Sequence, residues 1–399
     1  MDGVVRRLAG LGLPIGSPEA SAAYFRWTGI LTSILLVGWA AGGILFGQVA
    51  DRIGRTRTLM ITMLLYALGT AACAAAQNIP MLVVFRIIAS LGIGGEWAAG
   101  AAMVAEVVPD KRRVEAGALL YTSAPAGLFL ATYVNLVIAG RLFKGSPEVS
   151  WRYVFLCGLI PAVVAFTVRL FVKEPERWKQ TAAQPRPRIS ELFSPGIRRL
   201  TLGGFSMAVI ALISWWGVSA FIPIVSARLA QASAKAAALD RPQTQALVEN
   251  WKTIATNWFN LGGLIGTLLT AVVSKNLGRR PMFGIYYGLA GLAIFYTFGP
   301  DHPPELTLRL CGLIGLTVFG VFGSFTYYLP ELFPTRLRGT GAGFCYNVGR
   351  LLAAFGPSIV GNVAAHGDPR RAVFWVGVVP LVGLLLLPLA VETKGRALE

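Results

Sequence analysis

The sequence predicts an all-α, multi-pass membrane protein built from two related helical bundles, and three observations carry that expectation. Of its 399 residues 55% are hydrophobic and only 14% charged, with a mean hydropathy of +0.61; soluble chains carry roughly 25% charged residues. Apolar runs of about 20 residues recur along the chain, the length that crosses a hydrocarbon core. These runs are continuous and do not alternate, which excludes an outer-membrane barrel. The third observation is internal: segments of the first half reappear in the second at a nearly constant offset, the signature of duplication.

Apolar runs bounded by charge, Gly or Pro predict spans near 28–49, 58–76, 80–105, 116–140 and 151–172 in the first half. The second half gives six more, near 200–225, 252–273, 281–299, 306–329, 338–362 and 372–391. Residues 173–199 are polar, contain Pro185, Pro187 and Pro195, and hold seven Lys or Arg, which reads as a linker. The domain organisation is therefore 1–172, linker, 200–399. With the linker in the cytoplasm, the short loops holding Arg52, Arg55, Arg57, Lys111, Arg112, Arg113, Arg279, Arg280, Arg336 and Arg338 fall inside with it, as the positive-inside bias requires. The C-terminus is then cytoplasmic and the N-terminus outside. This bias accounts for the formal charge of +17 without a nucleic-acid partner.

The repeat is explicit in Glu106-Val-Val-Pro109-Asp-Lys-Arg-Arg113 and Glu331-Leu-Phe-Pro334-Thr-Arg-Leu-Arg338, where Glu, Pro and Arg recur 225 residues apart. The same offset takes Tyr121 to Tyr346 and Gly38 to Gly263, and 224 takes Gly54-Arg55 to Gly278-Arg279. Parallel duplicated halves are a transporter architecture. Twice 225 exceeds 399, so the span near 200–225 has no counterpart. The expectation is eleven spans of a twelve-span design, with the first helix absent.

Two loop motifs follow. Gly47-Gln-Val-Ala-Asp51-Arg52-Ile-Gly54-Arg55-Thr-Arg57 and Ser274-Lys-Asn-Leu-Gly278-Arg279-Arg280 resemble the loop signature of the major facilitator superfamily. The stretches Arg86-Ile-Ile-Ala-Ser-Leu-Gly92-Ile-Gly94-Gly95-Glu96-Trp97, Tyr328-Leu-Pro330-Glu331-Leu-Phe-Pro334-Thr-Arg336-Leu-Arg338-Gly339 and Glu392-Thr-Lys394-Gly395 are similar to metabolite and organic-acid:proton symporters related to sugar porters. Gly-Gly-Glu-Trp comes nearest to their sialate and monocarboxylate branch. The resemblance covers nearly the whole chain and implies a monomeric secondary transporter with alternating access, in a bacterial inner membrane. At these loops a cytoplasmic gate is expected, in which Asp51 holds the end of a neighbouring helix and Arg52, Arg55, Arg113, Arg279 and Arg338 pair with Glu106 or Glu331. Lys275 stands where the repeat would place an acid.

Ionisable residues within spans are costly and mark function. Arg350, midway along its span with Tyr346 and Asn347 on the same face, is suited to a carboxylate, so the expected substrate is a small organic anion. Glu96 is the expected proton carrier, because desolvation lifts a carboxyl into a working range; Arg86 lies on the same helix. Further cavity candidates are Tyr121, Asn135, Trp215, Trp216, Asn257, Asn260 and Tyr327, as rings and polar handles that can hold a small ligand. A neutral sugar or polyol carrier, or a transport-inactive sensor or truncated product, is the alternative. Gly92-Ile-Gly94-Gly95 lies inside an apolar span and reads as helix packing. No phosphate-binding loop occurs, and the four cysteines and two histidines form no metal-ligand pattern. No enzymatic constellation and no cofactor are expected.

Overall fold

A computed structural model describes residues 18–138, 142–143, 147–181, 185, 187–355 and 368–396, and no strand occurs among them. The chain opens with α1 (Pro18–Ile53), α2 (Arg55–Ala75) and α3 (Ile79–Val107). Next come α4 (Arg113–Tyr121), α5 (Ser123–Val137), α6 (Pro147–Cys157) and α7 (Leu159–Leu170), and a short α8 (Glu176–Thr181) lies in the linker. Beyond it run α9 (Arg198–Ser219), α10 (Ile222–Ala236), α11 (Arg241–Leu277), α12 (Arg279–Phe298) and α13 (Pro304–Ile314). The chain closes with α14 (Phe325–Leu332), α15 (Arg338–Ala353), α16 (Pro369–Val376) and α17 (Val378–Leu386).

Contacts gather these helices into two compact units, each discontinuous in sequence. The first is Met1–Val107, Leu130–Glu191 and Thr335–Asn347; the second is Val108–Phe129, Leu192–Pro334 and Val348–Glu399. Each unit thus takes helix from both sides of the linker.

Eight helical stretches among the described residues are long and apolar enough to cross a membrane, from Ser33–Ile53 to Pro369–Leu389. Of the other expected spans, the run near 151–172 is divided at Gly158 into α6 and α7. The run near 338–362 continues past the described residues, and the run near 252–273 is the inner part of α11.

The segment 226–250 has a polar composition that reads as an outer loop; it is helical instead. Ile222, Val225, Ala230 and Ala234 on α10 are buried, and the first of these share a core with Val248, Trp251 and Ala255 of α11. Its polar residues are the uncovered side of a helical hairpin. The turn is made by Ala238 at φ 52° and by a capping box in which Asp240 accepts from Gln243 N and Gln243 returns the bond.

The repeat is visible as contacts within each unit. Gly42 of α1 abuts the Leu91 carbonyl of α3, and Gly266 of α11 abuts the Leu316 carbonyl. Gly95 presses on Thr62, and Gly320 on Tyr286, the repeat-related residue. At these positions a side chain would force the helices apart.

The last span of each copy ties down the fourth-last. Arg152 donates to the carbonyls of Ala74 and, at 2.8 Å, Ala76, at the end of α2. Arg370 donates to those of Phe298 at 2.9 Å, Gly299 and Pro300, at the end of α12. Helix ends leave carbonyls unsatisfied and negative, and a guanidinium answers both needs.

Candidate functional site

Two corners of the chain need backbone that only glycine adopts freely. Gly54 (φ 112°) joins α1 to α2, and Gly278 (φ 104°) joins α11 to α12. Each corner delivers two consecutive amides to one carboxylate. Glu174 accepts from Thr56 N at 3.1 Å and Arg57 N at 3.0 Å; Glu392 accepts from Arg279 N at 2.9 Å and Arg280 N at 3.0 Å. A Cβ on Gly54 would lie 2.6 Å from Glu174 Cδ, and one on Gly278 2.6 Å from Glu392 Oε2. Burial pushes the Glu392 carboxyl up, but the amides of Arg279, Arg280 and Lys394 and the Arg279 charge outweigh it and hold the group below the usual carboxylate range.

These corners aim an arginine at a glutamate in each unit. In the first unit Arg55 binds Glu106 through Nε (3.1 Å) and Nη2 (2.7 Å), and its Nη1 lies 2.9 Å from Asp51. Arg338 Nη1 reaches the same Glu106 at 3.1 Å. Asp51 accepts from Gly339 N (3.1 Å), Thr340 N (2.7 Å) and Thr340 Oγ1 (2.7 Å), capping α15 from another helix. All four charged side chains have 0% exposure. Two cations and two anions leave no net charge, the condition for holding them out of water.

The second unit repeats the arrangement with partners exchanged. Arg279 binds Glu331 through Nε (3.0 Å) and Nη2 (2.7 Å), and Arg113, the repeat equivalent of Arg338, lies 3.6 Å from it. Thr393 donates to Glu331 at 2.6 Å, and Arg113 also pairs with Asp110. Arg52 is exposed and joins neither cluster.

The linker engages the first cluster. Trp178 Nε1 donates to the Asp51 carbonyl at 3.1 Å. Arg336 pairs with Glu191 and donates to the Pro185 carbonyl at 3.1 Å. The Arg336 hydrogen bond holds the Glu191 carboxyl below its ordinary range.

The substrate candidates divide between the units. In the first, Tyr346 is buried and stacks on Trp97, and Asn347 is buried with Nδ2 donating to the Gly343 carbonyl at 2.8 Å. In the second, Arg350 is buried. Tyr121 and Trp215 meet Phe319 and Phe322 in an aromatic cluster, with Trp216 edge-on to Trp215. A π-helical turn, Gly315–Phe319, followed by a 3₁₀ turn, Gly320–Ser324, presents those phenylalanines; such breaks recur at functional sites. Asn260 is buried but Asn257 is exposed. Tyr327 is fully buried, donates to the Thr270 carbonyl at 3.3 Å and carries Arg279 5.7 Å from its ring centroid; its neighbours are those of the charge cluster. The Asn135 side chain lies outside the described ones.

Arg86 lines a cavity of about 220 Å³ inside the first unit, with Tyr66, Thr70, Cys73 and Phe155. Its guanidinium sits 5.6 Å from the Phe155 ring centroid. Glu96 is half-buried on the same helix, within electrostatic reach of the Tyr66 hydroxyl. No cluster of metal-ligating side chains occurs among the described residues.

Sequence reasoning missed Glu174, Glu191, Thr340 and Trp178. Glu174 and Glu392 lie 218 residues apart, outside the 224–225 register, so the repeat gave no signal for them.

A family profile described as Major Facilitator Superfamily matches residues 11–357. A probable 4-methylmuconolactone transporter of Cupriavidus pinatubonensis is 31% identical over 93% of this chain and 83% of its own length. The cis,cis-muconate transport protein of Acinetobacter baylyi is 28% identical over 88% of this chain and 84% of its own. Among solved structures, the proton:xylose symporter XylE from E. coli superposes with a TM-score of 0.75 at 19% identity, over 100% of this chain and 94% of that one.

Proposed function

Because the chain belongs to the major facilitator superfamily, and is thus a multi-pass membrane transporter and not an enzyme, we propose that it moves a small organic anion by proton-coupled alternating access. Relatives that carry muconate and a muconolactone support a carboxylate substrate. Arg350, buried midway along its predicted span, supplies the cation that such a substrate needs.

The observation that carries the mechanism is the pair of charge clusters. Every one joins a residue of the first sequence half to one of the second: Glu106 to Arg338, Asp51 to Thr340, Glu331 to Arg113. Rocking the halves apart breaks these bonds, and restoring them shuts one side, so they serve as a cytoplasmic gate. The C-terminus lies on that side. Glu96 accepts the coupled proton when its water is withdrawn, with Arg86 as the fixed charge of the same helix.

The test is uptake of labelled cis,cis-muconate into proteoliposomes under an inward proton gradient, with xylose as the neutral comparison. Saturable muconate uptake that collapses with a protonophore is expected. Xylose uptake without muconate uptake overturns the anion assignment, and uptake indifferent to the gradient removes the coupling.

A further inference from the structure

The gate is built differently in its two copies. Lys275 occupies the place of Asp51, and Glu115 that of Thr340, at offsets of 224 and 225. In the first unit an acid on the incoming helix α1 caps the start of α15. In the second unit the polarity is reversed. The acid, Glu115, sits in the first turn of α4, where the helix end favours it, and Lys275 Nζ of α11 donates to its Oε1 at 2.5 Å. A residue pair has been exchanged in chemistry while the contact between those helices is kept.

The exchange also moves the contact from the interior to the surface. Lys275 and Glu115 are 59% and 43% exposed, against 0% for Asp51. Glu115 Oε2 is covered and has no hydrogen-bond partner among the described groups. Its carboxylate therefore rests on Lys275, with Arg112 the other cation in electrostatic reach. An exposed pair is weak and screened by salt, whereas three hydrogen bonds to a buried carboxylate are not.

We propose that Lys275 and Glu115 are gating residues, a charge-reversed and solvent-exposed replica of the Asp51–Thr340 contact, which makes the second unit's half of the gate the one that parts first. This rests on the alternating-access reading above. It assigns a role to Lys275, a position at which the duplicated motif departs from its pattern, and it makes closure sensitive to ionic strength on one side only.

The experiment uses the full chain in nanodiscs, with its four cysteines replaced by alanine and spin labels at Lys111 and Asn276, both exposed. Distance distributions and proteoliposome uptake of labelled cis,cis-muconate are read for each variant. Lys275→Glu is expected to add a longer-distance population and to lower uptake about fivefold to tenfold, from one attraction lost and one repulsion gained. Combining it with Glu115→Lys restores both, which a folding defect does not. The double variant Lys275→Asp with Glu115→Thr, rebuilding the first copy's chemistry, keeps the short distance and loses its response to potassium chloride. If Lys275→Glu changes neither readout, or the swap gives no rescue, while Asp51→Asn still depresses uptake, the inference is overturned and the gate stands. If Asp51→Asn is also silent, the gate itself is overturned.

Discussion

Trp97 lies flat on Tyr346, with ring centroids 4.0 Å apart and planes within 12° of parallel. One ring comes from α3 and the other from α15, so the stack joins the two sequence halves within one unit. Such pairs contribute about 0.5–1.5 kcal/mol beyond their buried area. Tyr346→Phe keeps the ring and should leave muconate uptake near that of the parent, while Tyr346→Leu should lose severalfold. Equal losses in both, measured as initial rates, would instead make the hydroxyl a ligand contact.

Glu106 neutralises two buried arginines at once. Glu106→Gln leaves Arg55 and Arg338 with one anion, Asp51, between them. Removing one partner of a buried pair costs about 3–5 kcal/mol. Thermal unfolding in detergent should show a large loss, well above that of the exposed control Glu176→Gln, whose pair with Lys179 lies at the surface.

Gly54 and Gly278 combine positive φ with a carboxylate where a Cβ would go, while Gly395 has φ 78° and open space around it. Alanine at Gly395 should cost about 1–2 kcal/mol, from backbone strain alone. Alanine at Gly54 or Gly278 should cost more, because it also displaces Glu174 or Glu392 from the helix start. Unfolding midpoints of the three variants give the order directly.

Glu392, held below its ordinary range, stabilises the folded chain as a carboxylate. That contribution is complete above the unfolded Glu value of about 4.3 and disappears as pH falls through the lower folded value. Stability of the parent should therefore fall more steeply than that of Glu392→Gln across that acid window. Parallel pH profiles of melting would contradict it.

Arg350→Ala should abolish muconate uptake, and Arg350→Lys should retain part of it, since an ammonium keeps the charge and loses the two-pronged geometry. Parent-like kinetics in the alanine variant would remove Arg350 from the anion site.

The fold and the two charge clusters were largely legible because both depend on patterns that sequence displays. Span length gives the helices, and the offset that sets Glu106 beside Glu331 also sets Arg113 beside Arg338, so finding one cluster gives the other. The Glu174 and Glu392 brackets were not legible, because each acts across more than a hundred residues through backbone amides that every sequence possesses. The loop expected at 226–250 failed for a related reason: polar residues on one side of a hairpin look like solvent-exposed coil until the apolar stripe, Ile222 to Ala234, is read with its period. Tyr327 and Tyr346 are expected from sequence as cavity residues, and their ring contacts with Arg279 and Trp97 were not legible because they depend on which helices meet.

At 37 residues, α11 is about 55 Å long, nearly twice a hydrocarbon core. It runs without interruption from the Asp240 turn to Lys275. Such a rod acts as a lever: a tilt of a few degrees at its Lys275 end swings the far tip by several ångströms. A nanobody or grafted epitope clamped at the Ala238 turn would therefore arrest the transport cycle from a distance, without entering the solute pathway.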